Sequence, residues 1–172
     1  QIIYYTLPRL REKSKLVSMS DAYNLWKPEY LLEIGEVDEQ HKHFFSLCAR
    51  LAQMADCQAG KSPNTQDMIR AVTGLRSYAF FHFHTEETYL AKHAYPKLFV
   101  HLKEHDAYLD KIREIVDELM RVCQGEGCRE SALLELATVI SDWAANWWEN
   151  HILTHDKGYA LYIKGAKGRT KS

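Results

Sequence analysis

The sequence predicts an all-α fold, an antiparallel up-down-up-down four-helix bundle with an extended N-terminal arm. Three observations predict it. Apolar residues recur every three or four positions through four long segments. Short turn-forming stretches separate those segments, which makes neighbouring helices antiparallel. Five histidines and two carboxylates then fall near one common end of the four helices.

Residues 1–22 read as an arm or linker, with Pro8 and several basic residues and no long periodicity. Trp26, Pro28, Tyr30 and Gly35 make the next stretch aromatic and irregular, an extended segment packed across helix ends. The first helix is expected from about Glu39 to Asp56, on Phe44, Leu47, Cys48, Leu51 and Met54. Cys57 to Asn64, with a glycine and a proline, turns the chain. Thr65 reads as the N-cap of the second helix. Its inner stripe is Met68, Val72, Leu75, Tyr78 or Ala79, His82, Glu86 and Leu90.

Pro96 ends that helix and fits the first turn of the third. The third runs to about Val122 and stops at Gly125-Glu126-Gly127. Glu130 or Ser131 opens the fourth, expected to reach about His155 before Gly158. Residues 163–172 read as a basic, frayed tail, which leaves 23–162 as the bundle domain.

A length of 172 residues fits one domain with a substantial core. A net charge of −1 argues against a nucleic-acid partner held through phosphates. No apolar run is long enough to span a membrane, and the N-terminus lacks the apolar stretch of a secretory signal. Cys48, Cys57, Cys123 and Cys128 follow no zinc-like spacing, so reduced thiols and a cytoplasmic location are the expectation. Cys57, Cys123 and Cys128 fall at the bundle end away from the histidines, where they could approach one another; unpaired thiols are expected. The chain opens on Gln1, which fits a piece of a longer protein with an attached signalling domain.

In this topology the starts of helices one and three share a level with the ends of helices two and four. His41, His82 with Glu86, His101 with His105, and His151 with Asp156 all lie within about 15 Å of that level, at about 1.5 Å rise per residue. A lone His-xxx-His pair means little. Seven suitable residues reaching one level from four helices mean a good deal. Imidazole and carboxylate without thiolate suit iron, manganese or zinc. Five imidazoles could divide three to one ion and two to the other, with both carboxylates bridging. The Glu-xx-His pairs of ferritin-like bundles do not occur here.

Four segments carry a resemblance: Val37-Asp38-Glu39-Gln40-His41-Lys42, His82-Phe83-His84-Thr85-Glu86-Glu87, Tyr95-Pro96 with His101 to His105, and Trp147 to Asp156. From about Leu25 to Tyr162 the chain resembles the hemerythrin family, bacterial hemerythrin domains in particular. The resemblance implies two iron ions, Fe2+ or Fe3+, with an oxo or hydroxo bridge. His101, His105 and His151 would hold a six-coordinate iron. His41 and His82 would hold a five-coordinate iron where dioxygen binds, and Glu86 and Asp156 would bridge the pair.

The resemblance also implies an oxygen pocket of Phe44, Phe83, Trp147, Trp148 and Ile152. Trp148 stands where the family commonly has leucine, either narrowing access or simply packing the core. Ideal helical spacing favours His155 over Asp156, so Asp156 requires the helix to loosen, near Gly158. Glu87 is read as orienting a ligand imidazole or as a solvated carboxylate, and His43, His84 and His93 as surface or structural. The implied function is reversible dioxygen binding for sensing, storage or delivery, with no catalytic residue; nitric oxide and small anions are further ligands. The alternatives are an oxygen- or redox-sensing domain of a larger signalling protein, and a di-iron enzyme acting on peroxide or nitric oxide.

Overall fold

Helices α1 (Gly35–Ala55), α2 (Thr65–Lys92), α3 (Leu98–Gln124) and α4 (Glu130–His151) form the bundle. A π-helical turn, Ile152–Asp156, joins α4 to α5 (Lys157–Arg169), and a single 3-10 turn, Pro28–Tyr30, precedes α1. The computed structural model describes residues 24–55, 64–124 and 130–169. The whole of the expected arm, residues 1–22, together with Cys57 and Cys128, lies outside them. Among the described residues there is no strand, and no helix is long and apolar enough to cross a membrane.

The apolar stripes explain the packing. Phe44, Cys48 and Leu51 of α1, Val72, Leu75 and Ala79 of α2, Tyr108, Ile112 and Leu119 of α3, and Ala137, Ile140 and Ala144 of α4 are almost free of solvent. Each large apolar side chain so buried contributes roughly 1.5–3 kcal/mol. Of the two candidates for the α2 stripe, Ala79 faces inward and Tyr78 is half-buried. α1 packs on α2 and α4, and α2 on α3. Ser141 Oγ donates to the Cys48 carbonyl at 2.9 Å, tying α4 to α1 inside the core.

Pro96 lies in the turn between α2 and α3 rather than in the first turn of α3, and three further differences from the sequence expectation bear on the site. Asn64, not Thr65, caps α2, its side chain accepting from the Asp67 N–H at 2.9 Å. α1 opens at Gly35 rather than Glu39. There the buried Asp38 carboxylate accepts from the Leu32 N–H (2.7 Å) and the Ile34 N–H (3.0 Å), while its charge complements the positive helix end. The segment before it folds back on α1: Tyr30 stacks on Phe45 at 5.1 Å, with Trp26 edge-on to both.

The third difference matters most. The helix does not stop at Gly158 but continues to Arg169, so much of the expected frayed tail is helical. Tyr159, Ala160 and Ile163 form a buried stripe at helical spacing. That burial outweighs the roughly 1 kcal/mol penalty of a helical glycine. The loosening lies earlier, where the Lys157 N–H reaches back five residues to the Ile152 carbonyl. The Thr154 hydroxyl donates to the Asn150 carbonyl at 2.7 Å, a back-bond that competes with regular helix.

Candidate metal centre

His41 comes from α1, His82 and Glu86 from α2, His101 and His105 from α3, His151 from the end of α4 and Asp156 from the π turn; none is more than 3% exposed. Residues four apart on a helix share a face, which pairs His82 with Glu86 and His101 with His105. The Nε2 atoms point inward, His41 to His82 at 3.3 Å and His105 to His151 at 3.2 Å. Glu86 Oε2 lies 3.1 Å from Nε2 of His101 and of His105, and 3.5 Å from His82. Asp156 Oδ1 is 3.1 Å from His151 and 3.6 Å from His101, while Oδ2 is 3.5 Å from His41.

The side chains therefore divide into two groups with metal-ligand spacing: His101, His105 and His151 with Glu86, and His41 and His82 with Glu86. Asp156 spans the two. One extra residue in the π turn carries Asp156 to the inner face below His151. His155 is displaced outward, half-exposed, with its ring stacked on His151 at 5.1 Å.

The donor set fits a pair of metal ions. Both Asp156 oxygens are buried without a hydrogen-bond donor, and each such orphan costs about 1–3 kcal/mol. Burial and the Glu86 charge push the Asp156 carboxyl well above its usual range. Burial alone would raise Glu86 too, but the His82 charge and the imidazole hydrogen bonds outweigh it and hold Glu86 well below. Two carboxylates this close do not both ionise unless cations stand between them. Ions preferring nitrogen and oxygen donors would satisfy the inward Nε2 atoms and both carboxylates together.

The outward nitrogens are held unequally. His82 Nδ1–H donates to Gln40 Oε1 at 2.9 Å, and His105 Nδ1–H to Glu87 Oε1 at 2.8 Å. These bonds fix the tautomer that turns the Nε2 lone pair inward. Nδ1 of His41 and of His151 has no partner. Burial holds both of those imidazoles well below their ordinary pKa, in the neutral form a metal needs. Burial also pulls His105 down, yet Glu86 and Glu87 carry it up to about 9. The Tyr159 hydroxyl donates to Glu86 Oε1 at 2.5 Å. Burial and the two carboxylates keep its phenol well above the usual range, so it stays a donor.

Aromatic rings close the centre. Trp148 stacks on Phe44 with centroids 3.6 Å apart and lies 4.8 Å from the His82 ring and 5.6 Å from His41. It roofs the two-histidine group. Phe83 stacks on His105 at 3.8 Å and Trp147 on His151 at 4.5 Å, so these two flank the three-histidine group. Ile152 is fully buried. Trp148 is only 1% exposed, and its indole N–H has no partner. A cavity of about 170 Å³, lined by Tyr95, His101, Thr154 and His155 among others, lies against the three-histidine side.

The structure brings all seven candidate ligands together. Sequence reasoning missed two residues that hold them, Gln40 and Tyr159. Tyr159 was hidden by ending the helix at Gly158; its signal is the stripe Asp156, Tyr159, Ala160, Ile163 at helical spacing. Gln40 sits beside His41 in the chain but serves His82 across the bundle. His93 Nδ1–H donates to the Tyr89 carbonyl at 2.8 Å at the end of α2, and His84 is exposed.

Comparison with known proteins places this architecture. The model of the hemerythrin HHE cation binding domain matches residues 32–162. The bacteriohemerythrin of Clostridium acetobutylicum is 29% identical over 137 residues, 78% of this chain and 97% of that relative. That of Pseudomonas aeruginosa is 27% identical over 143 residues, 83% of each. Two solved mutant structures, one of them a hemerythrin, share the fold with TM-scores of 0.65 and 0.61 at 22% and 23% identity, over 80% of this chain and 95% of theirs. With the family pattern matched along nearly the whole bundle, the chain belongs to the hemerythrin family.

Proposed function

We propose that this chain is a non-haem di-iron protein that binds dioxygen reversibly, for oxygen sensing, storage or delivery. The observation that carries the reading is the three-to-two division of five inward imidazoles around two shared carboxylates, with an aromatic roof over the smaller group. His101, His105 and His151 would hold one iron, and His41 and His82 the other. Glu86 and Asp156 would serve both. With one imidazole fewer, the ion held by His41 and His82 would keep a place for a small ligand on the side that Trp148 and Phe44 cover. An iron pair held there would supply the reversible two-electron chemistry that dioxygen binding requires.

The chain's own residues would make that exchange reversible. Glu87 and Gln40 hold the His105 and His82 rings in register, and Tyr159 holds Glu86. Phe44 and Trp148 exclude water above His41 and His82 and offer no acid to deliver a proton, which favours binding over turnover. The names of the bacteriohemerythrin relatives point the same way.

The test is to load the chain with iron, reduce it without air, admit air and follow its visible absorption. A band that appears and then bleaches on deoxygenation supports the reading. Direct conversion to the oxidised protein, with no reversible band, overturns it in favour of redox signalling or enzymatic turnover. Elemental analysis clearly below two irons per folded chain overturns the di-iron assignment itself.

A further inference from the structure

We propose that the cavity between the start of α3 and the turn joining α4 to α5 binds a small aliphatic carboxylate such as acetate, with Lys97 taking its charge. The cavity measures about 170 Å³, room for several waters or one small organic ion. Lys97, Val100, Thr154 and Gly158 line it and are exposed, so it opens to solvent. His101, at 2% exposure, forms its inner end. Of the seven candidate metal ligands only His101 lines it. An occupant here would sit beside the metal centre without entering it.

The lining selects the charge. None of the lining residues is acidic, and Lys97 supplies a full cation. It stands immediately before Leu98, the first residue of α3, where the helix end is itself positive. The first turn of α3 carries no acidic side chain to neutralise that end. The Tyr95 hydroxyl is a second donor at the cavity wall, since a Cβ at Gly158 would come within 3.4 Å of it. Thr154 is not a third, because its hydroxyl hydrogen already goes to the Asn150 carbonyl at 2.7 Å. Val100 adds hydrocarbon, and Gly158 adds bare backbone where any side chain would narrow the space. One cation, one hydroxyl donor and an apolar surface match an ion with a charged end and an apolar end. A halide would gain nothing from Val100.

Acetate is titrated into the iron-loaded full chain at constant ionic strength and followed by calorimetry, with the visible absorption of the iron recorded in parallel. The expected result is one acetate per chain with the iron absorption unchanged. Lys97→Gln should weaken binding about fivefold, and Lys97→Arg should retain it. Gly158→Ala should weaken binding by a similar factor while raising the melting temperature by about 2–4 °C, because alanine is the better helix former. Both positions are exposed and outside the ligand set, so iron content should not move. Acetate binding that is absent, that is indifferent to Lys97→Gln and Gly158→Ala, or that chloride equals overturns the cavity site. A change in iron absorption on adding acetate puts the ion on the metal instead, and overturns the site as well.

Discussion

His101, His105 and His151 stand on α3 and α4 among polar neighbours. Glu87 accepts from His105, Tyr159 steadies the carboxylate that touches His101 and His105, and a cavity lies against His101. His41 and His82 stand on α1 and α2 under hydrocarbon. Their one outer hydrogen bond is to a neutral amide, Gln40, and the ring overhead is an indole stacked on Phe44. Both halves use the same imidazole nitrogens and the same two carboxylates. The difference teaches that ligand type alone does not assign roles here. A charged outer partner anchors one half, while stacked apolar rings close over the other.

The largest effect should come from the residue that both halves need. Asp156→Asn keeps the shape and removes the charge that His41, His101 and His151 share. Iron should fall from two per chain to below one, by elemental analysis. A loss of at most several kcal/mol of binding stabilisation would then lower the melting temperature by roughly 10 °C, at about 2–4 °C per kcal/mol for a chain of this size. Retention of one full iron would mean that Asp156 serves a single half.

Single-imidazole deletions separate the halves. His41→Ala should retain about one iron, in the three-histidine group, and lose the reversible response to air. His105→Ala should release more iron than His41→Ala, because it removes a ligand and strands the Glu87 carboxylate together. Equal losses would erase the distinction between an anchoring half and a ligand-binding half. The outer partners give a finer reading. Glu87→Ala should weaken iron about 10–100-fold in competition with a chelator, and Gln40→Ala should stand at or below the lower end of that range. The order follows from charge, since hydrogen bonds to an ionised acceptor are roughly twice as strong as neutral ones.

Trp148→Leu probes the roof. Trimming a buried indole should cost about 2 kcal/mol or more through the cavity it leaves, partly offset because the lost N–H had no partner. The rate of autoxidation should rise as water gains entry, with iron content intact. If iron is lost instead, the indole is a structural prop for His41 and His82.

The bundle was legible because apolar periodicity survives in all four helices, and the level of the seven candidates follows from topology once the helices are placed. The inward turn of Asp156 was legible only as a requirement. Its position five residues after His151 demands a loosened helix, but nothing in the local sequence announces that one extra residue enters the turn over Ile152–Asp156. Gly158 then misdirected the reading: a glycine that ends an isolated helix is overridden where Tyr159 and Ile163 can be buried. Gln40 was illegible for a different reason. Its partner His82 is a neighbour only after α1 and α2 have packed.

The smallest effect concerns the turn between α2 and α3, which sets Glu86 and His101 at one level. Ala94 sits there at φ 48°, where a side chain crowds its own backbone. The Tyr95 N–H bonds the Leu90 carbonyl at 3.1 Å and the Ala94 N–H bonds the Ala91 carbonyl at 3.0 Å. That is the helix-ending pattern in which glycine usually fills the left-handed position. Ala94→Gly should relieve strain of roughly 1–2 kcal/mol while losing up to about 1 kcal/mol to the added freedom of the unfolded chain. The net is a gain below about 1 kcal/mol, or some 2–3 °C in melting temperature, with iron content and the response to air unchanged. A gain that also alters iron affinity would mean that the turn is strained against the centre, and that the two halves are coupled through the connection between α2 and α3 as well as through Glu86 and Asp156.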